Sequence, residues 1–362
     1  MATETTEGVA VQKLNYYLPL GQPEVALAEA KKMVLTVRPD WKLEGLKHQF
    51  FTEGVTNQIL SVWHESTGDE DRVIIRIFGE KTELLINRDE ELKNMQLLIR
   101  YQCAPPLYGV FENGVAYTFV AGDVLDIDTV REPKISDAIA KTMVKQHMIR
   151  IEGQPTQCPA IYDRIEKFIS NMPLSFPDQE KQKRFVSVFP SKEKLRLALV
   201  EMRQLMEPVS SPVVFCHNDL LLKNVVYNRK TGEASFIDFE YTFWNYQAFD
   251  IANHFAEYAG VDVENMDYRR YHPDKEYQFK WLGNYLGYWH ESNKLSPVSM
   301  ADIERLYVQV TKCQPYPHLF WAVWAVIQAA HSSIDFDFLD YACQRFAEYN
   351  YWLPIARDIK MP

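Results

Sequence analysis

The residues best suited to chemistry lie in VVFCHNDLLLKNVVYNRKTGEASFIDFEY, residues 213–241. Asp219 follows His217 and Asn218 at the end of an apolar run, Asn224 comes five residues later, and Asp238 fourteen beyond that. The carboxylate of Asp238 and the amide oxygen of Asn224 are hard ligands of the kind Mg²⁺ takes. Phosphoryl transfer needs such ions, close positioning, and one carboxylate to orient or deprotonate a hydroxyl, with little covalent help from the protein. The intervening sequence explains how these groups could meet. NVVY and EASFID are strand-like, and NRKTG reads as a turn. A turn centred near residues 230–231 places Asn224 opposite Ile237, beside Asp238. Asp219, in the loop entering the hairpin, is left to face the acceptor hydroxyl. Singly these are ordinary loop, turn and strand-end residues; the joint spacing carries the reading.

The spacing matches the H-R-D-L-x-x-x-N and D-F-G motifs of protein kinases, with two departures. Asn218 stands where Arg is usual, and Glu240 where Gly is usual. That Arg answers to a phosphorylated loop in protein kinases. No A-P-E signal and no long activation segment precede Asp250, so a small-molecule acceptor is expected. For the nucleotide, FTEGVTNQIL (51–60) offers Gly54 for close backbone approach, with Thr56 and Asn57 as polar contacts. Arg76 interrupts the apolar strand VIIRIFG and needs a partner if buried. Glu91, on the next helix, is the best candidate, and the guanidinium can fork onto phosphate oxygens. YTFVAGD (117–123) falls where a backbone hinge could read the adenine.

The positioning elements follow from periodicity and breakers. QPEVALAEAKKMVLTV (22–37) reads as a helix, with Pro23 in its first turn and Pro39 past its end. DRVIIRIFG (71–79) is a buried strand, 88–102 a helix, and 105–123 two strands around Glu112-Asn113-Gly114. Helices are expected over 137–151, 161–172, 192–206 and from about Asp250 onward. Strands first and helices later imply an α+β chain with a small β-rich lobe and a larger helical one. Boundaries are expected as a loose segment at 1–20, an N-terminal lobe at 21–120 and a C-terminal lobe at 121–362. Lys and Arg number 39 against 49 Asp and Glu, giving a net charge of −10. That excludes a broad nucleic-acid surface and suits a cationic substrate. Five widely spaced cysteines with no C-x-x-C argue for reduced thiols rather than disulfides or zinc. The apolar run LFWAVWAVIQAA (319–330) falls short of the roughly 20 residues that span a bilayer. MATETTEG has no apolar signal core, so a cytoplasmic protein without stable membrane insertion is expected.

HNDLLLKN, FIDFEYTFWNYQAFDIANHFAEYAG and HLFWAVWAVIQAAHSSIDFDFLDYA resemble the choline/ethanolamine kinase family, over roughly residues 48–350. The resemblance implies a two-lobed protein-kinase-like fold, with an ATP-binding N-terminal lobe and a C-terminal lobe for catalysis and amino-alcohol binding. It implies transfer of the γ-phosphate of ATP, with Mg²⁺, to the hydroxyl of choline or ethanolamine. INRDEE, FTEGVTN and EYAGV resemble the ethanolamine members, whose product, phosphoethanolamine, opens the CDP-ethanolamine route to phosphatidylethanolamine. By resemblance Asp219 is the catalytic base, Asn224 and Asp238 hold metal, and Arg76 and Glu91 form the phosphate-side pair. Asp250 braces the catalytic loop, with His217 as structural support. Glu257, which shares a helix face with Asp250 and His254 by spacing, matches the acidic residue of the amino-alcohol pocket. Tyr241, Trp321, Trp324 and Tyr341 match its aromatic walls, and an ammonium group does want aromatic faces plus a carboxylate. A primary ammonium also wants hydrogen-bond acceptors. Lys223, VKQHMIRI and residues 152–191 depart from the family's pattern. The alternatives are a choline or dual kinase, and a catalytically silent kinase-like binding protein. The intact Asp219, Asn224 and Asp238 argue against the silent protein. An aminoglycoside-type phosphotransferase is disfavoured by the paired tryptophans. The expected partner is a small amino alcohol, and a homodimer stays open.

Overall fold

The computed structural model describes the chain except residues 1–10, 52–56, 69, 80, 81, 83, 84, 152, 154–156, 261–265 and 333. Two compact units divide it, Met1–Ala121 and Gly122–Pro362. In the first, helix α1 (Pro23–Val37) precedes strands β1 (Leu46–Phe51), β2 (Asn57–His64) and β3 (Arg72–Phe78). Helix α2 (Arg88–Arg100) and the hairpin β4 (Leu107–Phe111) and β5 (Gly114–Thr118) complete it. The sheet is antiparallel with order β1-β2-β3-β5-β4. Val73, Ile75 and Ile77 alternate along β3 and join Leu60, Val62 and the Ala30–Met33–Val34 stripe of α1 in one core. Each buried aliphatic side chain there contributes roughly 1.5–3 kcal/mol. The same alternation sends Ile74 and Arg76 to the opposite face of β3. Gly114 is required where the strands meet, since a Cβ there would sit 2.2 Å from the Arg76 carbonyl oxygen. The segment 49–65 forms an antiparallel pair, and its tip lies outside the described residues.

The second unit opens with a short strand, β6 (Asp123–Val124), then helices α3 (Pro133–His147), α4 (Ile161–Asn171), α5 (Gln179–Val188) and α6 (Lys192–Met206). Strands β7 (Val213–Cys216), β8 (Val225–Asn228), β9 (Glu233–Phe236) and β10 (Phe243–Tyr246) follow. The chain then runs through α7 (Gln247–Ala256), α8 (Tyr268–Tyr271), α9 (Lys275–Asn293), α10 (Met300–Cys313), α11 (Pro315–His331) and α12 (Phe338–Asp358). All of α7 is buried, as is α11 from Pro315 to Gln328. A helix apolar all round belongs inside a protein core. Among the described residues no helix is long and apolar enough to cross a membrane. Strand β10, absent from the sequence reading, pairs with β7 through Phe243 opposite Cys216.

Candidate active site

The hairpin β8–β9 forms in the anticipated register. Val225 lies opposite Phe236, and the Ile237 N–H donates to the Asn224 carbonyl at 3.0 Å. Asn224 Nδ2 donates to the Asp219 carbonyl oxygen at 2.8 Å and to its carboxylate Oδ2 at 3.1 Å. With its nitrogen so engaged, Asn224 keeps Oδ1 without a donor from any described residue. Burial, and then the charges of Asp238, Glu257 and Glu240, push the Asp219 carboxyl up, with Arg345 pulling the other way. Three other carboxylates therefore act on the buried Asp219. An unbonded amide oxygen beside concentrated negative charge is a donor set that fits Mg²⁺.

The loop carrying Asp219 is fastened from below. Asp250, in the first turn of α7, accepts the His217 N–H at 2.8 Å and the Asn218 N–H at 2.7 Å. It also accepts from His147 Nε2 at 2.9 Å, and His147 Nδ1 lies 2.7 Å from the Tyr285 hydroxyl. His147, Asp250 and Cys216 cluster within 4.8 Å, which invites a metal reading. Both Asp250 oxygens already receive N–H donors, so the cluster is a hydrogen-bonded brace. Burial alone would raise the Asp250 pKa; the His147 hydrogen bond, the electrostatic pull of His147 and His217 and the Asn218 N–H together outweigh it and hold the carboxyl below its ordinary range. His217 Nδ1 accepts from the Asp219 N–H at 3.3 Å, so Nε2–H donates to the Ile237 carbonyl at 3.0 Å. One imidazole thus spans the loops of Asp219 and Asp238. His254 Nδ1 adds a donation to the Leu220 carbonyl at 3.2 Å.

Asn218 has a structural task that its reading as a missing Arg did not suggest. It sits at φ +66°, a left-handed conformation that Asn tolerates better than most residues. Its Nδ2 donates to the carbonyls of Tyr241 at 3.0 Å and Cys216 at 3.2 Å, and Oδ1 accepts from Asn245 at 2.8 Å. Asp238 is likewise left-handed, at φ +61°. Replacing Asp250 with Asn would keep the shape but turn an amide NH₂ toward N–H donors. The expected loss is roughly 3–5 kcal/mol, as for breaking a buried charged pair. It is read as a fall in urea midpoint, and a loss under about 1 kcal/mol would refute the brace.

Tyr241, Trp321 and Trp324 pack together, and Tyr341 is linked to Glu257 through Arg345. The Trp321 ring centroid lies 5.1 Å from Tyr241 and 5.4 Å from Trp324, both edge-on. Each indole N–H is tied: Trp321 to Asn253 Oδ1 at 2.9 Å, and Trp324 to the Tyr241 hydroxyl at 2.7 Å. Glu257, just past α7, is bonded to Arg345 of α12, which also donates to the Tyr341 hydroxyl at 2.9 Å. Asn253 and Arg345 escaped the sequence reading. Their signals were helical spacing, Asn253 four residues before Glu257 and Arg345 four after Tyr341.

In the first unit, Arg76 is bonded to Glu91 and both are buried. Arg88, also unforeseen, donates to Glu91 Oε2 and to Thr82 Oγ1, each at 2.7 Å, and to Asn57 Oδ1 at 3.4 Å. Its guanidinium lies 4.0 Å from the Phe78 ring centroid. Gly54 and Thr56 fall outside the described residues.

Known proteins resemble this chain in sequence and in fold. Mouse (Mus musculus) ethanolamine kinase 1 is 40% identical over 96% of this chain and 99% of its own. The solved Plasmodium vivax ethanolamine kinase is 28% identical, with a TM-score of 0.79 over 94% of this chain and 92% of its own. A choline kinase from Cryptosporidium parvum, 20% identical, shares the fold at a TM-score of 0.70, over 93% and 96% of the two chains. The fold is α+β and protein-kinase-like, with a β-sheet unit followed by a mainly helical one. The family model for choline/ethanolamine kinases matches residues 49–350, and the chain belongs to the choline/ethanolamine kinase family.

Proposed function

We propose that this kinase phosphorylates the hydroxyl of ethanolamine with ATP, giving phosphoethanolamine for phosphatidylethanolamine synthesis by the CDP-ethanolamine route. One observation carries the reading. The buried Asp219 carboxylate lies within electrostatic reach of the half-buried Asp238 and of Glu257, which supports reading them as a proton acceptor between a metal-side and an ammonium-side carboxylate. In this reading Asp219 orients the substrate hydroxyl and accepts its proton. Asn224 and Asp238 would hold Mg²⁺, which when bound neutralises charge on the phosphates. Arg76, kept in place by Glu91, steadies phosphate oxygens. Glu257 takes the ammonium, with Tyr241, Trp321, Trp324 and Tyr341 supplying aromatic faces. His217 and Asp250 hold the loop that aims Asp219.

The edge-on aromatic cluster also favours a second reading, turnover of choline as well, because a trimethylammonium group gains from the same faces. ATP consumption with ethanolamine and with choline, side by side, separates the two. The expected kcat/KM ratio favours ethanolamine by about tenfold or more. Equal values support the dual enzyme, and turnover of neither overturns both readings.

A further inference from the structure

We propose that Arg345 is a specificity-determining positioning residue: by holding Glu257 through one carboxylate oxygen and Tyr341 through its hydroxyl, it leaves one oriented acceptor, Glu257 Oε2, for the N–H donors of a primary ammonium. The inference rests on the amino-alcohol reading of the pocket and deepens it.

Arg345 is fully buried, with no exposed surface. Its guanidinium donates from Nη2 to Glu257 Oε1, from Nε to the Tyr341 hydroxyl at 2.9 Å, and from Nη1 to His318 Nδ1 at 3.3 Å. Its planar head lies 5.0 Å from the Tyr268 ring centroid and 5.3 Å from that of Tyr341. The fork therefore spends its donors on Glu257, Tyr341 and a histidine, and two of these are walls of the pocket. A lysine ammonium, being a point charge, could not hold all three directions at once.

The consequence falls on the other oxygen of Glu257. Glu257 is 4% exposed, and among the described residues none donates to Oε2. An ionised carboxylate accepts at both oxygens, and a nearly buried one left half-satisfied favours a ligand that brings its own N–H groups. Ethanolamine's ammonium has three such donors, and each N-methyl group removes one. A trimethylammonium group keeps the attraction of charge and the aromatic faces but leaves Oε2 without a hydrogen bond. Sites built to hydrogen-bond a substrate group reject analogues lacking it more strongly than apolar pockets reject a change of size. Without Arg345 the carboxylate loses its fixed direction, so this discrimination fades.

The test is steady-state kinetics at saturating ATP with ethanolamine, N-methylethanolamine, N,N-dimethylethanolamine and choline, for wild type, Arg345→Lys and Arg345→Met. In wild type kcat/KM falls with each methyl. In Arg345→Met the expected fall from ethanolamine to choline is about tenfold shallower, through a higher KM for ethanolamine and an unchanged KM for ATP, with Arg345→Lys between. Ratios among amines do not depend on the folded fraction, so partial misfolding leaves the result legible. A loss by one common factor for all four amines, or a KM for ATP that moves in step, overturns the proposal. If Arg345→Met yields no soluble enzyme, an Arg345→Lys series identical to wild type overturns it equally. If wild type uses none of the amines, the amino-alcohol reading itself fails, and this inference with it.

Discussion

Replacing Asp219 with Ala lowers kcat by about 10²–10⁴-fold, the range for removing a positioned general base, and at the same time raises the stability of the free protein. The two effects share one cause. Burial, followed by the charges of Asp238, Glu257 and Glu240, raises the Asp219 pKa in the folded state. A carboxyl whose folded pKa lies above its unfolded value costs stability at every pH where the unfolded chain ionises it, neutral pH included. Alanine removes that cost. It also removes only one of the two Asn224 contacts, because Nδ2 still donates to the main-chain carbonyl of residue 219 at 2.8 Å. The check pairs ATP turnover with urea unfolding in magnesium-free buffer. Wild-type turnover removes the base assignment, and a lowered urea midpoint removes the electrostatic argument. Strain held at a functional site and offset by the rest of the fold is the pattern this predicts.

The parts of the site that were legible in the sequence are those governed by short-range rules. The hairpin register followed from one turn and the period of two, and it set Asn224 opposite Ile237. A single cation in an apolar strand pointed to the first acidic helix face after it, where Glu91 meets Arg76. What was not legible depends on contacts far apart in the chain. Strand β10 is four residues without alternation and is held as a strand by pairing with β7. Asn218 reads as a lost Arg until its left-handed backbone and its bonds to Cys216, Tyr241 and Asn245 are seen together. Arg345 looks like one more cation on a mixed helix, and Glu257 lies 88 positions away. Asn253 and Trp321, 68 positions apart, are a similar case. Local pattern marks which residues could do chemistry; tertiary contact decides which residues aim them.

The second large effect is loss of stability in mild acid. Burial lowers the pKa of His217, His254 and His272 to about 4 each, and holds that of His318 well below the ordinary histidine value. The unfolded chain binds these protons near pH 6.5, the ordinary histidine value, whereas the folded chain does not until about pH 4. Between those values the unfolded state holds more protons, so stability rises with pH and is lost as pH falls through the window. A drop to about 4 makes each histidine worth roughly 3 kcal/mol across the full window. Three such groups amount to much of the 5–15 kcal/mol that holds an ordinary domain together. Asp219 and Glu348, whose pKa values burial raises, work the other way, but they are two groups against four. Asp250, held below its ordinary range, adds its loss only in stronger acid. Thermal melts between pH 7.5 and 4.5 should show Tm falling below about pH 6.5, with a slope equivalent to about two protons taken up on unfolding, four on histidines less two released by the carboxyls. Asn in place of His254 can still donate to the Leu220 carbonyl, as Nδ1 does in the native protein. His254→Asn should therefore keep the fold and make the slope shallower by about one proton. A flat stability profile from pH 7 to 5, or an unchanged slope in this variant, would mean that the buried rings are not held uncharged by the fold.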